Sequence, residues 1–393
     1  MTRLGLLTSH PIQYEAPLFR ELARRTDLVV YFAHRQTPEG QAAAGFGVPF
    51  DWDVDLLAGY EHVFLRNVAR RPDVSRFSGC DTPEVVQEIT NAKFDAFVVT
   101  GWYLRSHWQA IRGCRRLGVP VLARGDSQLD TGRPLLRRLA GGFVHRWVMR
   151  RFDGFLVVGK RNEEYLRHYG APANKIFFAP HCVDNEWFSS RAQSAATQRP
   201  ATRRELGCGG DARLVLFVGK LIPKKRPLDV VEAVARLRAD GANAVAAFVG
   251  SGALEGAVRS RAAALDVPIR ITGFRNQSEL PAMYAAADVL VLPSASETWG
   301  LAVNEAMACG LQAVVSDRVG CGPDLVEPGV TGEVFRCGAT AGLAAGLARA
   351  LVRAGSPRVV AAVKSRVAAY SVGAAATGIT EAVRSVARLA DAS

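Results

Sequence analysis

Asp288–Asp317 reads DVLVLPSASETWGLAVNEAMACGLQAVVSD. Its apolar run ends at Pro293, a small polar loop carries Glu297, and a helix is predicted from near Gly300 with Glu305 about one turn inside it. A second apolar run, Ala313 to Ser316, closes the stretch as another strand. A loop that opens into a helix leaves free backbone N–H groups and a positive dipole end, suited to a phosphate or sugar oxygen. Glu297 in the loop and Glu305 in the helix can grip vicinal hydroxyls from opposite ends of a bound ligand.

The same alternation runs outward in both directions, which predicts parallel sheets built from βαβ units. Toward the N-terminus the expected strands are Leu4 to Thr8, Leu28 to Phe32, Ala96 to Thr100, Val119 to Ala123, Phe155 to Val158 and Ile176 to Phe178. Helices are expected over Ala16 to Arg25 and Pro83 to Asn91, the latter with Asp81 or Thr82 as N-cap. From Ser189 to Asp211 the rhythm stops in SSRAQSAATQRPATRRELGCGGD, read as a linker. Strands then resume at Arg213 to Gly219, Val245 to Val249, Ile269 to Thr272, Val289 to Leu292, Ala313 to Ser316 and Glu333 to Phe335. The expected fold is α/β, two tandem Rossmann-like doubly wound domains facing across a cleft, with the ligand crevice at the carboxyl ends of the strands. The expected boundaries are 1–188 for the first domain, 189–211 for the linker, 212–356 for the second domain and 357–393 for an Ala-rich helical end.

In LVLFVGKLIPKKRPLDVVEAV, Lys220 ends a strand and Lys225 follows in the turn, so both can converge on one diphosphate and stabilise the charge that grows on a leaving group. With seven residues between Glu297 and Glu305, SETWGLAVNEAMACG resembles the donor-site signature of glycosyltransferase family 4, whose fold is GT-B. The resemblance implies that Glu297 faces the donor sugar and that the backbone at Thr298, Trp299, Gly300 and Leu301 holds sugar and diphosphate oxygens. It gives Glu305 the ribose hydroxyls. The family usually has Arg or Lys at the position of Lys220 and Lys at that of Lys225; Arg226 stands where a glycine is common. Gly273 and Phe274, after a strand in ITGFRNQSEL, look like the family's base-binding edge, although a core Phe274 fits the same pattern. The resemblance further implies a C-terminal helix that crosses back to the first domain, transfer with retention of anomeric configuration, and a nucleotide-diphosphate sugar as donor.

Resemblance is weaker in the first half. A glycine-rich loop often follows the family's first strand, but here LLTSHPIQYEAPL brings His10, Gln13 and Tyr14. Many members carry a histidine after the strand matching Val119 to Ala123; here Arg124, Gly125 and Asp126 follow, and Asp126 is the positional substitute. These four, His10, Gln13, Tyr14 and Asp126, are the acceptor-side candidates.

Two motifs point elsewhere. VGSGALEGAV approximates a dinucleotide fingerprint at Gly250, Gly252 and Gly256, but its last glycine is one residue late and no ribose-binding acid follows, so close strand-to-helix packing is expected instead. DWDVD spaces Asp51, Asp53 and Asp55 as metal-dependent sugar transferases do, yet lies far along the chain from the donor residues. No metal and no other cofactor are expected.

The 393 residues, 49% hydrophobic and 22% charged, suffice for two cores. No apolar run is long enough to span a membrane and the start lacks a signal-peptide pattern, which predicts a cytoplasmic protein. Seven cysteines without a C-x-x-C pair fit scattered reduced thiols. A net charge of +12 favours anionic partners. RPLLRRLAGGFVHRWVMRRF interleaves Leu135, Leu136, Leu139, Phe143, Trp147 and Val148 with arginines; its apolar stripe is expected to pack into the domain or to rest, peripherally, on an anionic membrane. Gly141 and Gly142 weaken it as an unbroken helix. The expected acceptor is a carbohydrate or a lipid-linked compound, in polysaccharide, glycolipid or glycoconjugate biosynthesis. An epimerase of the same architecture is the alternative; a nicotinamide-dependent oxidoreductase and an RNA-binding protein rank lower, and nucleic acid is not an expected partner.

Overall fold

The computed structural model describes residues 1–42, 47–129 and 135–391, with side chains of 135–141 and 389–391 excepted. The chain forms two compact domains. The first comprises Met1–Gln36, Asp55–His181 and Val372–Ser393, and the second Thr37–Val54 and Cys182–Ser371.

The first domain is built on β1 (Arg3–Thr8), β2 (Asp27–Phe32), β3 (Glu61–Phe64), β4 (Ala96–Val99), β5 (Val121–Gly125), β6 (Gly154–Val157) and β7 (Ile176–Phe178). All pairings are parallel, in the order β3-β2-β1-β4-β5-β6-β7. Strand residues such as Leu6, Phe97, Val98 and Leu122 are buried because helices cover both faces of a parallel sheet. Strand order reverses between β1 and β4, and the crevice for a ligand opens at such a point, beyond the strand carboxyl ends.

The second domain repeats the plan with β8 (Arg213–Val218), β9 (Ala244–Val249), β10 (Ile269–Gly273), β11 (Val289–Leu292), β12 (Ala313–Ser316) and β13 (Gly332–Phe335). Their order is β10-β9-β8-β11-β12-β13, again parallel throughout, with the reversal between β8 and β11. Val215, Phe217, Phe248 and Val291 fill its core.

Several expectations need correction. β3 was not foreseen: its sequence EHVF is short, partly exposed and lies at the sheet edge. The strand expected at Val119 to Ala123 sits at Val121–Gly125. Neither Asp81 nor Thr82 caps the following helix, which runs Val85–Ala92 behind Glu84; Asp81 instead accepts from Gln109 Nε2 at 2.7 Å.

The stretch 189–211 is no linker. Most of it folds into the helices Asn185–Ser194 and Arg199–Glu205, and the domain boundary falls at His181–Cys182. Arg203 is buried there and donates to Asp288 at 3.1 Å and to the Ala286 carbonyl at 2.8 Å, so this polar segment is fastened by a buried ion pair rather than by an apolar stripe. Removing one member of such a pair costs on the order of 3–5 kcal/mol. At the C-terminus, Pro357–Ala368 stays with the second domain and only Val372–Asp391 belongs to the first, where it packs on helix Ala16–Arg25 and on β6 and β7.

The helix Leu135–Met149 is continuous through Gly141 and Gly142. Of the stripe expected to pack inward, Val148 is buried but Phe143 and Trp147 are exposed, and the side chains of Leu135, Leu136 and Leu139 lie outside the described residues.

Candidate active site

The lysines and glutamates of the second domain stand at its strand-order reversal. Lys220 and Lys225 follow β8 and Glu297 follows β11, its neighbour in the sheet. Lys225 Nζ and Glu297 Oε2 form an ion pair. The two loops are also joined through their backbones, since Ala295 N donates to the Lys224 carbonyl at 2.8 Å. Burial, and then the charge of Lys225, hold the Lys220 ammonium below its usual pKa. Arg226 occupies the left-handed region, φ 52°, and binds Asp229 at 2.7 and 3.0 Å. That local fork holds a conformation glycine adopts without strain.

A second loop fixes Glu297 from behind. Gly320 N donates to the Glu297 carbonyl at 2.9 Å and Cys321 N to that of Trp299 at 2.9 Å. A Cβ at Gly320 would lie 1.9 Å from the Thr298 oxygen, so only glycine permits this approach. Gly300, φ 110°, turns the chain into helix Leu301–Ala308. The Trp299 ring points into the protein, its Nε1 donating to Asn304 at 2.8 Å. The Trp299 ring is therefore turned away from the loop surface, while Thr298 and Leu301 are partly exposed.

Glu305 is buried and accepts from the Tyr284 hydroxyl at 2.6 Å. Burial raises its carboxyl to about 7, and the tyrosine bond opposes that rise. Tyr284 was not singled out in the sequence because its helix, Leu280–Ala286, reads simply as apolar packing.

Gly273 ends β10, and the Phe274 ring packs on Phe50 with centroids 4.1 Å apart and planes tilted by 32°. Phe50 belongs to the arm Thr37–Val54, which leaves the first half of the chain and packs on the second domain. Asn276 Nδ2 donates to the Asp51 carbonyl at 2.8 Å, and Ser278 N donates to the Asp53 carboxylate at 3.2 Å. Asp55, in the first domain, accepts from Leu57 N and Ala58 N. The three aspartates are thus engaged in separate loop contacts. Gly250 and Gly252 serve packing, since a Cβ on either would meet the Gly219 or Leu221 carbonyl at 2.1 or 2.5 Å.

In the first domain the polar residues gather at the carboxyl ends of β1, β5 and β7. The His10 ring shares a hydrogen bond with Ser9 Oγ at 2.9 Å, and burial with the nearby His34 pushes it down to about 4. Tyr14 meets His181 edge to face at 5.8 Å; Gln13 is partly exposed in the same loop. Burial, then Glu15 and Asp126, push the Tyr14 phenol well above its usual range. Three members were missed in the sequence: Glu15, which accepts from Thr8 Oγ1 at 3.1 Å, Arg124, which donates to the Pro180 carbonyl at 3.1 Å, and buried His181. His181 is pushed down to about 3 by burial and Arg124. They are scattered along the chain, and only the sheet order unites them.

Two doubly wound parallel domains in tandem are the GT-B architecture. Residues 198–363 match the glycosyl transferases group 1 family and residues 12–182 the glycosyl transferase 4-like domain, and the chain belongs to the family 4-type glycosyltransferases. It is 36% identical over 245 residues to a D-inositol 3-phosphate glycosyltransferase of Corynebacterium glutamicum, covering 59% of this chain and 56% of that one. A namesake from Geodermatophilus obscurus is 35% identical over 302 residues, covering 70% and 64%. The matches therefore span less than two thirds of either relative. Among solved structures, Anabaena HepE in complex with UDP and glucose superposes with a TM-score of 0.68 at 14% identity, covering 98% of this chain and 100% of that one.

Proposed function

We propose that this chain transfers a sugar from a nucleotide-diphosphate sugar to an acceptor hydroxyl, with retention of anomeric configuration and without a metal. The observation that carries this is the Lys225–Glu297 ion pair at the reversal of the second sheet, beside Lys220. A diphosphate drawn to the two lysines replaces Glu297 as their counter-charge, and the freed carboxylate turns to the sugar. The acceptor hydroxyl passes its proton toward the departing diphosphate while the lysines stabilise the negative charge that develops there. Glu305 takes the ribose, Phe274 borders the base, and Thr298 to Leu301 offer backbone donors to sugar and diphosphate oxygens.

The complex of HepE with UDP and glucose supports a uridine nucleotide as the first donor to try. The relatives' name supports a polyol bearing phosphate as first acceptor, with carbohydrate and lipid-linked acceptors of glycolipid or polysaccharide assembly next. His10, Gln13, Tyr14 and Asp126, with Glu15 and Arg124, would orient that acceptor. The reaction would run in the cytoplasm. An epimerase finds no support among these relatives. Incubation with a panel of nucleotide sugars and acceptors, followed by NMR of the product, tests the proposal: a glycoside retaining the donor's anomeric configuration is expected, and an inverted centre or donor isomerisation alone would overturn it.

A further inference from the structure

Two cavities of the first domain share Arg105. One, of about 590 Å³, is lined by Arg70, Arg71, Arg76 and Arg105 with Asp81. The other, of about 440 Å³, is lined by Phe77, Trp108 and Trp147 with Arg105 and Arg112. In the first, Asp81 pairs with Arg105 at 2.9 Å and Asp73 with Arg76 at 3.4 Å. Arg70 and Arg71 form no ion pair among the described residues, so this cavity holds surplus positive charge. Arg105 also opens the helix Arg105–Leu117, whose N-terminus has no side-chain cap and adds its positive end.

The second cavity is aromatic, and two of its rings are exposed. Phe77 is 55% exposed and Trp147, stacked on Trp108 at 5.4 Å, is 46% exposed. One turn before Trp147 on the same helix face, Phe143 is 83% exposed, with Val144 beside it. Arg146 and Arg150 are exposed along the neighbouring stripe, and the Arg151 guanidinium lies 4.3 Å from the Trp147 ring centre. A contiguous apolar patch rimmed by cations marks a surface that something covers.

We infer that this face binds an anionic membrane lipid, its phosphate in the arginine cavity and its acyl chain along Phe77, Trp108 and Trp147. The two chemistries side by side select the occupant. A soluble sugar phosphate satisfies the arginines but leaves the aromatic side chains in water, and a neutral lipid covers the aromatics but leaves Arg70 and Arg71 uncompensated. Phe143 and Val144 then enter the headgroup boundary while Arg146 and Arg150 face anionic headgroups. The inference stands on the first domain alone and does not require the transfer reaction.

Vesicle sedimentation of the full chain tests it. Phosphatidylcholine vesicles doped with phosphatidylglycerol should bind roughly tenfold or more tightly than pure phosphatidylcholine. The exposed pairs Arg70→Ala with Arg71→Ala and Phe143→Ser with Trp147→Ser should each lower that binding roughly tenfold, while Arg70→Lys with Arg71→Lys retains most of it. Free glycerol 1-phosphate should compete weakly. Equal binding to both vesicle types, or binding that survives either double loss, overturns the inference. Competition by glycerol 1-phosphate that matches the doped vesicles also overturns it and leaves a soluble-anion site. Nucleotide calorimetry on the same variants reports the donor site separately, so failure of one reading does not entail failure of the other.

Discussion

The polar residues at the two strand-order reversals are held differently: an ion pair joins the loops of the second domain, whereas burial dominates the groups of the first. In the second domain Lys225 pairs with Glu297, while burial holds the Lys220 ammonium down and the Glu305 carboxyl up. In the first domain burial drives the groups toward neutrality, with His10 and His181 pushed down to about 4 and about 3, Tyr14 pushed up, and Glu15 raised by burial against the pull of Arg124 and Thr8. A charged site suits a diphosphate whose charge grows during the reaction; a neutral hydrogen-bonding one suits hydroxyls. The contrast teaches that two copies of one architecture differ in how their strand-end groups are held, by pairing in one and by burial in the other.

The sharpest way to break this contrast is to delete the carboxylates of the second domain one at a time. Glu297→Ala should lower turnover by on the order of a hundredfold, the scale of a lost transition-state contact, yet hold or raise calorimetric affinity for free UDP, because the diphosphate no longer has to displace the carboxylate from Lys225. Glu305→Ala should instead weaken UDP by roughly 1 to 3 kcal/mol. Because the Glu305 carboxyl sits at about 7 and ribose hydroxyls donate to its ionised form, UDP affinity should rise as pH increases through 7, and binding should release protons to the buffer. Equal losses of UDP affinity in both variants, with turnover at saturation intact, would reverse these roles.

A smaller effect probes the neutral side. His107 is fully buried, pushed down to about 3, and neither ring nitrogen has a hydrogen-bond partner among the described residues. Its folded pKa lies below the ordinary 6.5, so the unfolded chain binds the proton first and stability falls as pH drops from about 6.5 toward 3. One such group contributes a slope of about 1.4 kcal/mol per pH unit at most. In His107→Leu, chemical denaturation across that window should show a shallower acid loss; an unchanged slope would mean that the histidine is hydrated and titrates normally.

The smallest expected effect is none. If two lysines and a helix N-terminus supply what a cation supplies elsewhere, EDTA should leave turnover unchanged. Activity lost to chelator and restored by Mn2+ would promote Asp51, Asp53 and Asp55 from loop contacts to ligands.

What was legible in the sequence follows from chain distance. Lys220 with Lys225, and Glu297 with Glu305, each lie within a single strand–loop–helix turn, so their proximity could be read along the chain. Glu15, Arg124 and His181 meet only because β1, β5 and the turn after β7 lie in one sheet, and no local pattern encodes that. Strands with buried runs were readable, whereas β3, an edge strand with a polar start, was not. The helices of 189–211 escaped notice because Arg203 fastens them through a buried charge, which composition registers as a loop.

The arm Thr37–Val54 and the terminal helix Val372–Asp391 make each domain discontinuous in sequence. A chimera cut once at the His181–Cys182 boundary would join a first domain without its last helix to a second domain without Phe50 over Phe274. Exchanging the first domain between relatives therefore calls for grafting three segments together, with the arm left on the recipient's side.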